Sequence, residues 1–204
     1  MCRPNLRTIL FACLLCLSPL LIRAQITQMA TLYSDTDTLM TTIKLPLYKG
    51  ERIHQGEMHY GVSFNHPETM ELMRATSYNT NKIQWVDGKD TITWVSVYME
   101  DPKGKLINRF FVQPTTSGPV EYYRLYRLDG SYRPEKLSYH VFHNSGRTAL
   151  ALLKGTSRKR MKRALNEYLE PCANLCDLID QYHKDFISMI EAYNDKCSAS
   201  STIQ

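Results

Sequence analysis

Apolar and polar positions alternate along most of the chain before residue 154, as in strands that bury one face. Thr, Val, Tyr, Phe and Ile are abundant there, and turn residues recur about every ten positions. The segments with this pattern are QMATLYSD, TLMTTIKLPLYK, MHYGVSF, NKIQWVDGKDTITWVSVY, INRFFVQ, PVEYYRLYRL, LSYHVFH and TALALL. We predict eight or nine strands, joined as antiparallel meanders into an antiparallel β-sandwich or a partly open barrel.

The strongest local signal is a hairpin centred on Asp87-Gly88. This dipeptide favours a type I′ turn, in which both central residues have positive φ. Trp85 on one side and Trp94 on the other alternate with polar residues, so we predict that both are core residues. A second hairpin is predicted across PTTSG, pairing INRFFVQ with PVEYYRLYRL.

After Lys154 the apolar positions follow a helical period, which makes the fold class α+β with two to three C-terminal helices. The first helix begins with Thr156 or Ser157 as its cap. Its apolar stripe is Met161, Ala164, Leu165, Tyr168 and Leu169. A second helix, with Pro171 in its first turn, has the stripe Cys172, Leu175, Cys176, Ile179 and Tyr182. A third can start at Asp185, with Phe186, Ile190, Tyr193 and Cys197 on one face.

The first 24 residues have the layout of a secretory signal peptide: the basic start MCRPNLR, the apolar run TILFACLLCLSPLLI and the small residue Ala24. An uncleaved anchor and a lipid-modified Cys13 are the alternatives. We predict a signal peptide at 1–24, an antiparallel β-rich domain at 25–153, a helical segment at 154–197 packed on it, and a disordered tail at 198–204. The protein is then exported and periplasmic or extracellular.

Removing the signal peptide changes the charge of the chain. Arg3, Arg7 and Arg23 leave and no acidic residue does, so 25 basic and 20 acidic residues become 22 and 20. A net charge of +2 gives no reason to expect a nucleic-acid partner. No second segment reaches the ~20 apolar residues that a membrane span needs, so we expect no span after signal removal.

Three cysteines remain in the mature chain: Cys172, Cys176 and Cys197. If the second and third helices are antiparallel with a bend near 183–184, Cys172 faces Cys197 at the open end of the pair. This register favours a disulfide between them in an oxidising compartment, with Cys176 free and largely buried. Buried free thiols and a pairing through Cys176 remain open. A zinc site is disfavoured because the fourth ligand would be a histidine at the bend, roughly 15 Å away.

The segment EYYRLYRLDGSYR carries the candidate binding residues. On a strand Tyr122 and Tyr126 share a face with Arg124, whereas Tyr123 points the other way. An exposed aromatic row of this kind binds glycan or peptide, and cross-strand packing is the alternative. The cations from Arg158 to Arg163 form either a solvated helix face or a contact for anionic lipid or glycan.

Catalytic signatures are missing from the sequence. It has no G-x-S-x-G elbow, H-E-x-x-H, P-loop or dinucleotide fingerprint, and we predict no catalytic residues, metal site or cofactor. His140 and His143 are three apart on a strand, so they point to opposite faces and cannot share a metal. The sequence favours an exported non-catalytic protein that binds or scaffolds an envelope protein or glycan. The alternative is an envelope hydrolase with a non-local active site in the loops of the β domain.

The C-terminal sequence ALNEYLEPCANLCDLIDQY…DFISMIEAYNDKC resembles the end of uncharacterised exported proteins of Bacteroidetes-type bacteria. Those proteins end in a helix, a Y-x-x-x-C-x-x-L element and a last helix near Y-N-x-x-C. RFFVQPTTSGPVEYYRLYRL is similar to their F-x-x-x-x-x-G-x-V-x-L-Y hairpin. The resemblance implies an exported β-rich domain with a helical C-terminus, in which Cys172 and Cys197 match a recurrent pair and Cys176 departs from the pattern. It implies no activity and no functional residue.

Overall fold

The computed structural model describes residues 25–48, 52–127, 136–169, 172, 174–182 and 184–197. The strands are β1 (Gln25–Tyr33), β2 (Thr38–Tyr48), β3 (Arg52–Ile53), β4 (Val62–Asn65), β5 (Leu72–Ala75), β6 (Lys82–Asp87), β7 (Asp90–Glu100), β8 (Leu106–Val112), β9 (Val120–Arg127), β10 (Lys136–Asn144) and β11 (Ala149–Leu153). The helices are α1 (Gln55–Met58), α2 (Arg158–Tyr168), α3 (Leu175–Gln181) and α4 (Phe186–Cys197). The predicted signal peptide at 1–24, the predicted tail at 198–204 and Pro171 lie outside the described residues. None of these helices combines the length and the apolar character that crossing a membrane requires.

The described strands form one large mixed sheet that does not close on itself. Its order is β5-β4-β2-β1-β6-β7-β11-β10-β9, with β3 added to β2 and β8 added to β7. The pairing of β7 with β11 is parallel and consists of two residue pairs, Met99 with Ala149 and Glu100 with Leu150. The predicted β-rich fold with C-terminal helices is confirmed, whereas the expectation of a purely antiparallel sheet is wrong at this pairing.

The hairpin predicted around Asp87-Gly88 is confirmed as β6 and β7, but its central residues are Gly88 and Lys89, because Asp87 pairs with Asp90. Of these two only Gly88 has a positive φ, +62°, so the predicted type I′ turn is wrong. Trp85 lies opposite Ile92 and Trp94 lies opposite Ile83, so the four side chains share one face. Both tryptophans are buried in the core, as the alternation predicts.

The two faces of the sheet bury separate apolar clusters, because alternate residues of a strand point to opposite sides. On one face, Trp85 and Trp94 pack with residues of β1, β2 and β4, and Met58 of α1 joins them. On the other face, Met99 packs with Tyr123 and other residues of β9, β10 and β11. A third cluster lies between β9–β11 and the three C-terminal helices, and it includes Tyr122.

The C-terminal helices cover the sheet through the predicted apolar stripes, with one shift. The five predicted stripe residues of α2 are all buried. Asp185, where the third helix was expected to start, directly precedes α4 and caps it, because its carboxylate accepts hydrogen bonds from the backbone N–H and the hydroxyl of Ser188 at 3.2 and 2.7 Å. The second helix, however, buries Leu175, Leu178 and Ile179.

The shift changes the outcome for Cys176 but not for the other two cysteines. Cys172 and Cys197 form a disulfide with a Cα–Cα distance of 5.6 Å, as the antiparallel register predicts. The prediction that Cys176 is buried is wrong, because that residue is exposed. Its position on α3 falls beside the buried stripe, and its Sγ lies 3.4 Å from the amide nitrogen of Asn166.

Two other local predictions are wrong. The hairpin across PTTSG does not form, since β8 pairs with β7 and β9 pairs with β10. Instead, Thr115 donates from its N–H and its hydroxyl to the carbonyl of Tyr122, and the Thr116 hydroxyl accepts from the Tyr122 N–H. The strand predicted over MHYGVSF begins only at Val62, because Met58 ends α1, which the side chain of His54 caps.

His59 links β8 to β9 where the two strands do not pair. Its Nδ1 lies 2.6 Å from the carbonyl oxygen of Phe111, and its Nε2 accepts from the backbone N–H of Tyr126 at 3.0 Å. Nδ1 is therefore the protonated nitrogen. The side chain is 1% exposed, and its burial lowers the pKa to about 4, so the ring is neutral in the folded protein.

Candidate functional site

A cavity of about 290 Å³ lies where the end of β11, the start of α2 and the start of α4 meet. We call it the C-terminal pocket. Its apolar walls are formed by Leu152, Leu153, Met161 and Phe186. Its polar lining is formed by His140, Thr156, Arg158 and Lys184, with the backbone of Gly155. Apolar walls with a few converging polar groups are typical of small-molecule sites.

Phe186 fixes the imidazole of His140 at the pocket wall. The two ring centroids are 4.4 Å apart, and Tyr122 lies against both rings at 6.0 and 5.8 Å. Phe186 is the first residue of α4, directly after the helix cap Asp185. The docking of α4 therefore positions the aromatic side of the pocket.

A hydrogen bond with Tyr122 sets the tautomer of His140. The Tyr122 hydroxyl lies 2.7 Å from Nδ1 of His140. A phenol is a stronger hydrogen-bond donor than acceptor, and the positive charge of Arg124 acts on the same hydroxyl and favours the orientation in which its proton points to the imidazole. We therefore assign the Tyr122 proton to the bond with Nδ1. His140 is then protonated on Nε2, for which the structure shows no hydrogen bond to a described residue.

His140 is a neutral hydrogen-bond donor. Burial, and then the positive charges of Arg124 and Lys154, lower the pKa of His140 to about 4. The imidazole therefore carries no charge near neutral pH. The imidazole can donate its Nε2–H to a ligand, but it adds no positive charge that would attract an anion.

The electrostatic attraction at the C-terminal pocket comes from the surrounding cations. Arg158 and Lys162 both contact the carboxylate of Asp180, at 2.6 and 2.5 Å. One carboxylate thus faces two cations, and Lys184 adds a further positive charge at the lining. The charged groups on or beside the pocket are Arg124, Lys154, Arg158, Lys162 and Lys184 against Asp180 and Asp185. Five cations against two carboxylates favour an anion.

The three residues predicted as a binding row come together, but they do not form an exposed row. Arg124 is exposed and interacts with the hydroxyls of both Tyr122 and Tyr126. Tyr122 is only 1% exposed because α4 covers it. Tyr126 is half-buried and its ring stacks on His59. Tyr122 and Arg124 therefore act behind the C-terminal pocket, and binding by the trio remains a prediction.

A second polar constellation lies on the opposite face of β10. The Tyr123 hydroxyl donates to Oε2 of Glu121, and Nδ1 of His143 lies 3.4 Å from the same oxygen. His143 borders an open depression of about 310 Å³ together with Ser96, Arg147 and Thr148. His140 and His143 thus face opposite ways, as their odd spacing predicts. Within the described ranges, no three His, Cys, Asp or Glu side chains gather as metal ligands.

Apart from Arg158, which begins the cationic segment singled out in the sequence, the pocket residues were missed as ligand contacts because their signal is not local. His140 reaches Tyr122 through the pairing of β10 with β9, in which His140 lies opposite Arg124. Knowledge of that register would have placed His140 beside Tyr122, but the register cannot be read from the sequence. Lys184 and Phe186 join the site only when α4 docks.

Comparison of the chain with protein-family models, with curated proteins and with solved structures finds no match.

Proposed function

We propose that this chain is an exported, non-catalytic binding protein of the bacterial envelope and that the C-terminal pocket is its ligand site. The observation that carries the proposal is the pocket itself. Apolar walls meet a histidine donor whose tautomer is held by Tyr122 from behind. A donor fixed before the ligand arrives loses little entropy on binding, which is what a binding site needs.

Export is supported by two features. The first 24 residues read as a signal peptide, and the Cys172–Cys197 disulfide is typical of oxidising compartments. N-terminal sequencing of the protein from the cell envelope should find Gln25, or a residue within a few positions of it, as the first residue. An intact Met1 or a lipid on Cys13 would contradict this part of the proposal.

Ligand binding is tested by a thermal-shift screen of the mature protein against envelope metabolites, peptides and glycans. Leu153→Arg places a long side chain in the mouth of the C-terminal pocket without disturbing the core, because Leu153 is 59% exposed. Leu106→Arg is the matched control, since Leu106 is 57% exposed and lies on β8 away from the pocket. We expect stabilising compounds whose effect survives Leu106→Arg and disappears in Leu153→Arg. The proposal fails if no compound stabilises the protein, or if both variants respond like the wild type.

We also propose that five of the strands form the predicted partly open barrel. Strands β8, β7, β11, β10 and β9 follow one another by pairing and surround the cluster of Met99 and Tyr123. The gap between β8 and β9 is spanned by the two hydrogen bonds of His59. This arrangement gives β9 and β10 a rigid support on which the pocket is built.

An envelope hydrolase is the second candidate, and one observation favours it. Glu121 and Tyr123 hold His143 at the edge of an open depression that Arg147 also lines. A histidine oriented by a carboxylate is the arrangement of a general base. Turnover of ester or peptide substrates that is lost in His143→Asn and kept in His66→Asn would support this reading. No turnover by the wild-type protein would reject it.

A further inference from the structure

We infer that the ligand of the C-terminal pocket is a small amphiphile with a single carboxylate and an apolar body. Its carboxylate accepts from Nε2–H of His140 and pairs with the ammonium of Lys184, and its body packs on Phe186 and Leu152. This inference rests on the proposed function and adds the chemical class of the ligand to it.

The head group follows from the donors. His140 presents an N–H, Lys184 presents an ammonium, and both line one cavity. Neither group can accept a hydrogen bond in this state, so the ligand must supply the acceptors. A carboxylate has two oxygens, one for each donor. A ligand with an ammonium would meet the excess of cations around the pocket and be repelled.

The body of the ligand follows from the walls. Leu152, Met161 and Phe186 present carbon atoms, and Leu152 and Met161 are 2% and 4% exposed. A sugar would leave its hydroxyls unpaired against these walls, at a cost of about 1–3 kcal/mol for each buried group. The volume of about 290 Å³ is at the lower end of the range for ligand sites, so the ligand is small.

Tyr122 is the positioning residue of the site. It does not line the C-terminal pocket, yet its hydroxyl holds His140 in the Nε2–H tautomer. Without this hydroxyl, the ring is free to carry its proton on either nitrogen. The loss should therefore weaken binding of a carboxylate and leave binding of a neutral amphiphile unchanged.

Isothermal titration of the mature protein with decanoate, decanol and decylammonium tests the inference. We expect decanoate to bind at least tenfold more tightly than decanol, and decylammonium to bind most weakly. Lys184→Gln should weaken decanoate about fivefold, as for a partly exposed ion pair. Lys159→Gln, which removes an exposed cation of α2 outside the pocket lining, should leave the affinity unchanged.

Tyr122→Phe separates positioning from packing. We expect the variant to bind decanoate several-fold more weakly and to bind decanol with unchanged affinity. The ¹⁵N spectra of His140 should change from those of one tautomer to those of a mixture. Tyr168→Phe is the matched control, because Tyr168 is a buried tyrosine of α2 whose hydroxyl accepts from the Asn144 N–H, outside the pocket. It should change neither affinity.

The outcomes distinguish failure of the carboxylate inference from failure of the proposed function. If decanol binds as tightly as decanoate and Leu153→Arg abolishes both, the pocket is a ligand site and the carboxylate inference is wrong. If all three amphiphiles fail while another compound binds in a manner sensitive to Leu153→Arg, the ligand class alone is wrong. If no compound of any class binds there, the proposed function fails and the inference falls with it.

Discussion

Acidification should destabilise the fold through His59. Its neutral ring donates to Phe111 and accepts from Tyr126, and together these bonds join β8 to β9. Protonation puts a hydrogen on Nε2, so the nitrogen can no longer accept from the Tyr126 N–H. The positive charge would also be buried, because the side chain is 1% exposed. The folded protein therefore resists protonation of this ring.

The size of this loss of stability follows from the pKa of His59. Burial lowers it from 6.5 to about 4; the hydrogen bond to Phe111 opposes this shift and the nearby His54 adds to it. In the unfolded chain the ring regains its ordinary pKa. Between pH 6.5 and about pH 4 the unfolded chain therefore binds a proton that the folded protein does not bind. Stability is therefore fully present above pH 6.5 and falls as the pH drops towards 4, by about 3 kcal/mol for this residue alone.

Urea unfolding of the wild type and of His59→Gln from pH 7.5 to pH 4 isolates this contribution. Glutamine does not titrate, so the variant should be less stable at pH 7.5 and should lose about 3 kcal/mol less on acidification. Met58→Ala is the control, since it removes the neighbouring buried side chain and should lower stability equally at each pH. Parallel curves for wild type and His59→Gln would refute the reasoning, because the ring would then not stay neutral in the fold.

Three further predictions concern packing and the disulfide. Cys197→Ser should cost roughly 3 to 3.5 kcal/mol by calorimetry and fray α4, whereas Cys176→Ala should have little effect because that thiol is exposed. Gly61→Ala should destabilise by about 3 kcal/mol in urea unfolding, since a Cβ there would lie 2.0 Å from the carbonyl oxygen of Ala75. Asn194→Ala should raise amide exchange at the start of β9, because the Asn194 side chain bonds both backbone groups of Val120. Unchanged stability in Cys197→Ser or Gly61→Ala, or unchanged exchange in Asn194→Ala, would contradict these contacts.

Features set by short stretches of sequence were predictable. The turn at Gly88 places Trp85 and Trp94 on one face because two residues determine the register of the hairpin. The pairing of Cys172 with Cys197 followed from one antiparallel helix pair and a separation of 25 residues. Cys176 was misplaced because α3 begins later than Pro171 suggested, and a small change in phase moves a residue off the buried stripe.

Features that join distant segments could not be predicted in this way. The parallel pairing of β7 with β11 connects residues about fifty positions apart and leaves no local pattern. His59 bonds Phe111 and Tyr126, which are 52 and 67 positions away. Tyr122 was noticed for its aromatic character, but its role behind the C-terminal pocket depends on His140 across the strand pairing. The candidate site is therefore a product of tertiary structure.

The most direct test of the C-terminal pocket as a site for a carboxylate amphiphile is a crystal structure of the mature protein grown with decanoate. We predict electron density in the C-terminal pocket, with one carboxylate oxygen at hydrogen-bond distance from Nε2 of His140 and the alkyl chain against Phe186. A clear pocket without density at saturating decanoate, or decanoate bound elsewhere on the protein, would contradict it.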